Sequence, residues 1–170
     1  YYNEVKEFIT GISPLIDIDT TDPELLAVSN GLLNVTTGKI EKFTSDHHIT
    51  SKLQVTFNPT IQTTDWDNFL TTVIPKAKQR RQLQQLVGHC LIKKILTELC
   101  AVLLGGGSNG KTITLLILTK FLGGPNNVSS HSIQSLCYDR FVTGELKGKL
   151  ANICADLPHK ELQNTAIFRS

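Results

Sequence analysis

Gly105-Gly106-Gly107-Ser108-Asn109-Gly110-Lys111-Thr112 fits GxxxxGK[ST] at every required position. These types in this order suit a loop whose backbone N–H groups converge on phosphate oxygens. Glycines let the backbone approach where a Cβ would crowd the anion, and a following helix adds the positive end of its dipole. Lys111 supplies a full charge for the β- and γ-phosphates, and the Thr112 hydroxyl is placed to ligate Mg²⁺. With Gly near 7% of residues, a chance match in this length is expected in under about one chain in a hundred. The competing reading is a glycine-rich turn with an exposed lysine.

An ATP site of this kind also needs an acid at the end of a second strand to hold the Mg²⁺ shell. Leu150-Ala151-Asn152-Ile153-Cys154-Ala155-Asp156 is the later stretch that qualifies, so Asp156 is assigned as the metal-associated carboxylate. The competing reading is a cap for a helix after Pro158, and the two roles can coexist. Glu161 is a candidate for orienting the attacking water. The expected cofactors are ATP and Mg²⁺, with Gly105 to Thr112 binding nucleotide, Thr112 and Asp156 on the metal, and Lys111 and Asp156 catalytic.

Other groups point to chemistry less sharply. Between Asp67 and Glu98 no acidic residue occurs, while Lys76, Lys78, Arg80, Arg81, Lys93 and Lys94 all do. Such a segment could track a phosphate backbone or meet an acidic neighbour, or be merely solvated. His47-His48 lack metal-ligand partners at sensible spacing and read as a surface pair. Trp66 occupies a helical apolar position and reads as core. Cys90, Cys100, Cys137 and Cys154 form no CxxC pair, so a zinc knuckle or redox motif is unsupported and free thiols are expected.

Several elements must position these groups. Val5, Phe8, Ile9 and Ile12 recur at helical spacing before Ser13-Pro14. Leu32 to Val35, a Thr36-Thr37-Gly38-Lys39 turn and Ile40 to Phe43 predict a hairpin. Leu53, Val55 and Phe57 alternate with polar residues, predicting a half-buried strand stopped by Asn58-Pro59. A helix follows, with Thr64 as N-cap, Asp67 three residues on, and Trp66, Phe69, Leu70 and Val73 inward. Leu83, Leu86, Val87, Cys90 and Leu91 form one apolar stripe of a second helix. Leu99 to Leu104 is continuously apolar, as expected of a parallel strand covered on both faces. The helix from about Lys111 to Leu122 is apolar nearly all round, and Gly123-Gly124-Pro125 ends it.

The chain has 170 residues, 40% of them hydrophobic, and a net charge of +2. That composition excludes a disordered tail, a collagen-like chain and a disulfide miniprotein. No apolar run approaches the roughly 18 residues of a membrane span, and the first residues lack signal-peptide regions. The expected setting is cytoplasmic. The chain contains no Met at all, so an excised fragment is expected.

Read together, several separated pieces resemble the superfamily 3 helicases of the phage, plasmid and archaeal primase-helicase group, related to the poxvirus-type primase-helicase. Asn30-Gly31-Leu32-Leu33-Asn34-Val35 with Thr37-Gly38 is similar to the signature of that family's N-terminal module. Leu86-Val87-Gly88-His89-Cys90-Leu91 resembles the helix before its phosphate loop, and Gly107 to Thr112 its form of Walker A. Asp139-Arg140-Phe141, Leu146 to Ile153 and Ala155-Asp156-Leu157-Pro158 resemble its Walker B region.

The resemblance implies an ATP-driven DNA helicase with an AAA+-like core that acts on single-stranded or forked DNA. It also implies a homo-oligomeric ring, a hexamer in the full-length protein, often joined to a primase. Two departures stand out. Ala155 and Leu157 flank Asp156 where many members carry a second acid. The family's DNA-contacting hairpin, sensor Asn and arginine finger lie beyond Ser170, and no primase signature is visible.

The expected fold is therefore α/β: a small α+β module over 1–95, then an incomplete P-loop parallel-sheet domain over 96–170. The strand at Leu99–Leu104 is expected to lack a natural neighbour, leaving an apolar edge, and hydrolysis by the chain alone is expected to be weak. A small-molecule kinase and a non-catalytic DNA-binding remnant are the alternatives.

Overall fold

Residues 22–44, 47, 49, 51–93 and 99–156 are described in the computed structural model of the chain. Its first described elements are three antiparallel strands, β1 Leu25–Val28, β2 Gly31–Asn34 and β3 Ile40–Glu41. The expected hairpin is β2–β3, with Leu33 opposite Ile40 and Leu32 opposite Glu41. Its turn is built by Asn34, whose Oδ1 accepts the N–H groups of Thr36 and Thr37 at 3.1 and 2.8 Å. This satisfies turn amides that have no ladder partner. β3 stops at Glu41 rather than Phe43. β1 was not expected, because a four-residue run buried throughout shows no alternation.

Leu53, Val55 and Phe57 keep their inward alternation, but the expected strand is corrected to an irregular lane beside β1. Leu53 N–H donates to the Ala27 carbonyl and Ser29 N–H to the Val55 carbonyl, both at 2.8 Å. The chain turns at Ser29-Asn30, so the parallel ladder ends after a single bridge between Ala27 and Lys52. There the Asn30 side chain takes over, accepting from Phe57 N–H at 2.9 Å and donating to its carbonyl at 3.0 Å. Leu26, Val28, Leu33 and Leu53 form the buried cluster of this sheet, with Leu91 and Leu150 packed against it.

Helices α1 Thr64–Val73 and α2 Ala77–Cys90 follow. The N-cap of α1 is Thr63, one residue before the expected Thr64. Its hydroxyl donates to Asp67 Oδ2 at 3.1 Å, and Asp65 and Asp67 offset the positive helix end. Arg80 ties the two helices, donating to the carbonyls of Ile74 and Pro75 at 2.7 and 2.8 Å. These acceptors at the end of α1 have no helical donor of their own. Leu70 of α1 and Leu83 of α2 are buried together with Leu118. Trp66, stacked on Phe69 with ring centroids 5.6 Å apart, packs against that cluster, in line with its expected core role. The four cysteines are free. Burial pushes the Cys90 thiol up, which keeps it protonated.

Leu99–Leu104 is not a strand. Leu99, Val102 and Leu104 are exposed, and the segment pairs with no strand among the described residues. A buried parallel strand needs neighbours on both edges, and the described residues provide none. The same shortage corrects the expectation for α3, Lys111–Phe121. Thr114 and Leu118 are its buried residues, while Ile113, Leu116, Ile117 and Phe121 face outward.

After a 3-10 turn at Gly124–Asn126 come β4 Val128–Ser129, α4 Ile133–Tyr138, α5 Arg140–Gly144 and β5 Ala151–Asn152. β4 and β5 pair in parallel, Val128 opposite Ala151 and Ser129 opposite Asn152. A parallel pair requires a crossover, and α4 and α5 supply it. Ser132 caps α4 by accepting Ser135 N–H, and Asp139 caps α5 by accepting Phe141 N–H. The described residues are thus mixed α and β with two small sheets. No helix among the described residues is long and apolar enough to cross a membrane. The expected helix at 5–12 lies outside the described residues.

Candidate nucleotide site

The glycine-rich loop joins the exposed 99–104 segment to α3. Gly110 is the N-cap of α3 with φ +78°, a conformation that disfavours side chains. A Cβ at this position would also come within 2.6 Å of Val73 Cγ1, so close seating of the loop on α1 requires glycine twice over. Gly105 is constrained less, because φ there is not positive and a Cβ would meet the terminal amide of Asn109, which can shift. Around Gly106 and Gly107 the space is open. Ser108 has φ +54° and is the described non-glycine residue with positive φ.

The loop curls around a cation. Lys111 Nζ donates to the carbonyls of Gly105 and Gly106, both at 3.0 Å, and to Asn109 Oδ1 at 2.7 Å. All three acceptors are neutral, so none of them supplies a counter-charge to the ammonium at the start of α3. No acidic residue occupies the first turn of α3 to neutralise that end. Thr112 is exposed at the second position of the helix. Beside the loop lies a cavity of about 820 Å³ walled by α1, α2 and the 99–104 segment, with Asn109, Lys111 and Thr114 on its lining.

Gly105 to Thr112 are therefore brought together at one helix start. Asp156 is exposed, four residues beyond β5, and Cys154 Sγ donates to its carbonyl at 3.2 Å. Among the described residues no hydrogen bond or ion pair joins Asp156 to Lys111 or Thr112. Its segment does leave the core that seats α3, since Ile153 packs against the cluster holding Leu118. Glu161 lies outside the described residues.

Sequence reasoning missed two supports of the loop. Asn109 makes the shortest bond to Lys111, and Val73 with Phe69 forms the floor under Gly110. Neither follows from motif spacing, because both depend on how the loop closes.

The basic segment does not form one continuous face. Arg80 is committed to α1, and Lys93 is half-buried, which pushes its ammonium pKa down. Lys76, Lys78 and Arg81 are exposed, and Lys94 lies outside the described residues. His47 is half-buried, and His48 lies outside them. No cluster of His, Cys, Asp and Glu suited to a metal ion occurs among the described residues.

Residues 3–75 match the family described as "D5 N terminal like", a span that takes in β1–β3 and α1. The chain is also 27% identical over 123 residues to "Putative primase C962R" of African swine fever virus, isolate Tick/Malawi/Lil 20-1/1983. Isolates Warthog/Namibia/Wart80/1980 and Pig/Kenya/KEN-50/1950 give the same identity. Each alignment covers 69% of this chain, and the chain spans 13% of the length of these relatives. These matches make the chain similar, over part of its length, to a D5 N-terminal type of module and to a viral putative primase.

Proposed function

We propose that this chain is the ATP-binding portion of a superfamily 3 DNA helicase, which couples ATP hydrolysis to unwinding in the replication of a virus, mobile element or archaeal host. The observation that carries the reading is the ammonium of Lys111, held at the start of α3 by three neutral oxygens of its own loop. An arriving phosphate offers charged oxygens in their place, which add ion-pair attraction to the hydrogen bonds the ammonium already makes with neutral carbonyls. Lys111 exchanges partners, while the amides at the open Gly106 and Gly107 turn toward the same anion.

The Thr112 hydroxyl and the Asp156 carboxylate are hard oxygen donors of the kind Mg²⁺ takes, and both are exposed. They would hold the ion, whose chemistry is to neutralise phosphate charge. In the full-length protein the reading places such subunits in a homo-oligomeric ring on single-stranded or forked DNA, with a primase domain or subunit as a further partner.

ATP turnover by the chain extended to the length of its relatives tests the reading. Turnover stimulated by single-stranded DNA is expected. Turnover stimulated only by a small acceptor would make the protein a kinase and overturn the helicase reading.

A further inference from the structure

A second, polar cleft of about 430 Å³ lies away from the glycine-rich loop, between residues 51–54 and 147–149. Lys52, Lys147 and Lys149 line it together with Ser51, Gln54 and Asn126, and no carboxylate is among its described lining residues. The nearest acid in the sequence, Glu145, is engaged by His131 at 3.0 Å. Lys149 is partly committed, donating to the carbonyls of Pro125 and Asn126 at 2.8 and 2.9 Å, which fixes one wall. Lys147 is exposed, and its ammonium has no hydrogen bond or ion pair among the described residues.

Lys52 joins this cleft to an aromatic ring. Its ammonium stands over the ring of Phe43, 5.0 Å from the centroid, and Phe43 as a residue is 52% exposed. Three cations with no counter-charge among the described residues of the cleft favour a phosphate, yet nothing apolar inside the cleft would hold a base. The base platform lies at the edge, where Phe43 presents an open aromatic surface. A basic track with an adjoining stacking ring is the chemistry that recognises an unpaired nucleic-acid strand.

We infer that the Lys52–Lys147–Lys149 cleft, with Phe43 at its edge, binds the backbone of single-stranded DNA while a base stacks on Phe43. The choice of DNA as the strand rests on the replication reading above; the cleft does not involve the nucleotide loop.

Fluorescence anisotropy with labelled oligothymidylate, titrated against the 170-residue chain at several salt concentrations, tests the inference. The parent is expected to bind with an affinity that falls as salt rises. Lys52→Ala and Lys147→Ala should each flatten the slope of log affinity against log salt by about 0.7, the value for one phosphate contact on a single strand. Phe43→Ala should weaken binding about tenfold or more through lost stacking. Lys147→Arg should restore binding, and Lys111→Ala should leave it unchanged.

Unaltered affinity and slope in Lys52→Ala and Lys147→Ala would overturn the site, as would inorganic phosphate binding as tightly as the oligonucleotide. Mg-ATP binding measured on the same samples separates the two readings. Its loss in Lys111→Ala sustains the nucleotide loop even where the cleft fails, and its absence from the parent removes the loop assignment while leaving the cleft to stand on the DNA titration.

Discussion

Lys111→Ala lowers the affinity of the chain for Mg-ATP by roughly 10- to 150-fold. The estimate follows from losing a hydrogen bond between charged groups, worth about 1.5–3 kcal/mol, at about 1.4 kcal/mol per tenfold. The fold should survive, because the three acceptors of the ammonium belong to an open loop whose carbonyls water can reach. Thermal unfolding of the variant is therefore expected to stay within about 1 kcal/mol of the parent. Calorimetric titration with Mg-ATP measures the affinity difference, and equal affinities would show that the lysine is only a clasp for its own loop.

The second large effect concerns stability rather than binding. Asn127 is 2% exposed, and its Nδ2 donates both to the Leu122 carbonyl at 2.9 Å, at the end of α3, and to the Lys52 carbonyl at 3.1 Å, beside the first sheet. Asn127→Ala removes the donor and leaves these two acceptors without it. An unsatisfied buried polar group costs about 1–3 kcal/mol, so a loss of about 2–4 kcal/mol is expected. Asn126→Ala, one residue earlier and exposed, should change stability by no more than about 0.5 kcal/mol. Urea unfolding of the two variants measures the contrast, and matched midpoints would mean that the Asn127 amide does not hold the two parts together.

What the sequence reveals here depends on how local the cause is. The β2–β3 turn is legible because Asn34 satisfies its amides within three residues, and α1 and α2 are legible because their apolar faces meet each other. The glycine-rich loop is legible as a set of residue types, since the demand for glycine at Gly110 arises from the helix start itself.

Burial is less legible, because it depends on distant partners. Leu99 to Leu104 reads as a strand covered on both faces, yet its hydrophobicity only states what the segment requires, and the described chain brings no strand beside it. α3 shows the same dependence, with Leu118 inward and Leu116 outward although both are equally apolar. The lane at Leu53–Phe57 illustrates the converse. Its alternation correctly marks the inward side chains, while the extent of hydrogen bonding is set by where β1 turns. The cleft at Lys52 and Lys147 was invisible, because its walls are 95 residues apart in the chain and meet only in the folded molecule.

The most direct test of the nucleotide site is the response of individual backbone amides to Mg-ATP in the isotope-labelled chain. The curl of the loop around Lys111 predicts that the largest chemical-shift changes fall on Gly105 to Thr112, saturating together with the calorimetric affinity. Loop amides that stay in place while Mg-ATP binds elsewhere, or no change anywhere at millimolar nucleotide, would contradict it.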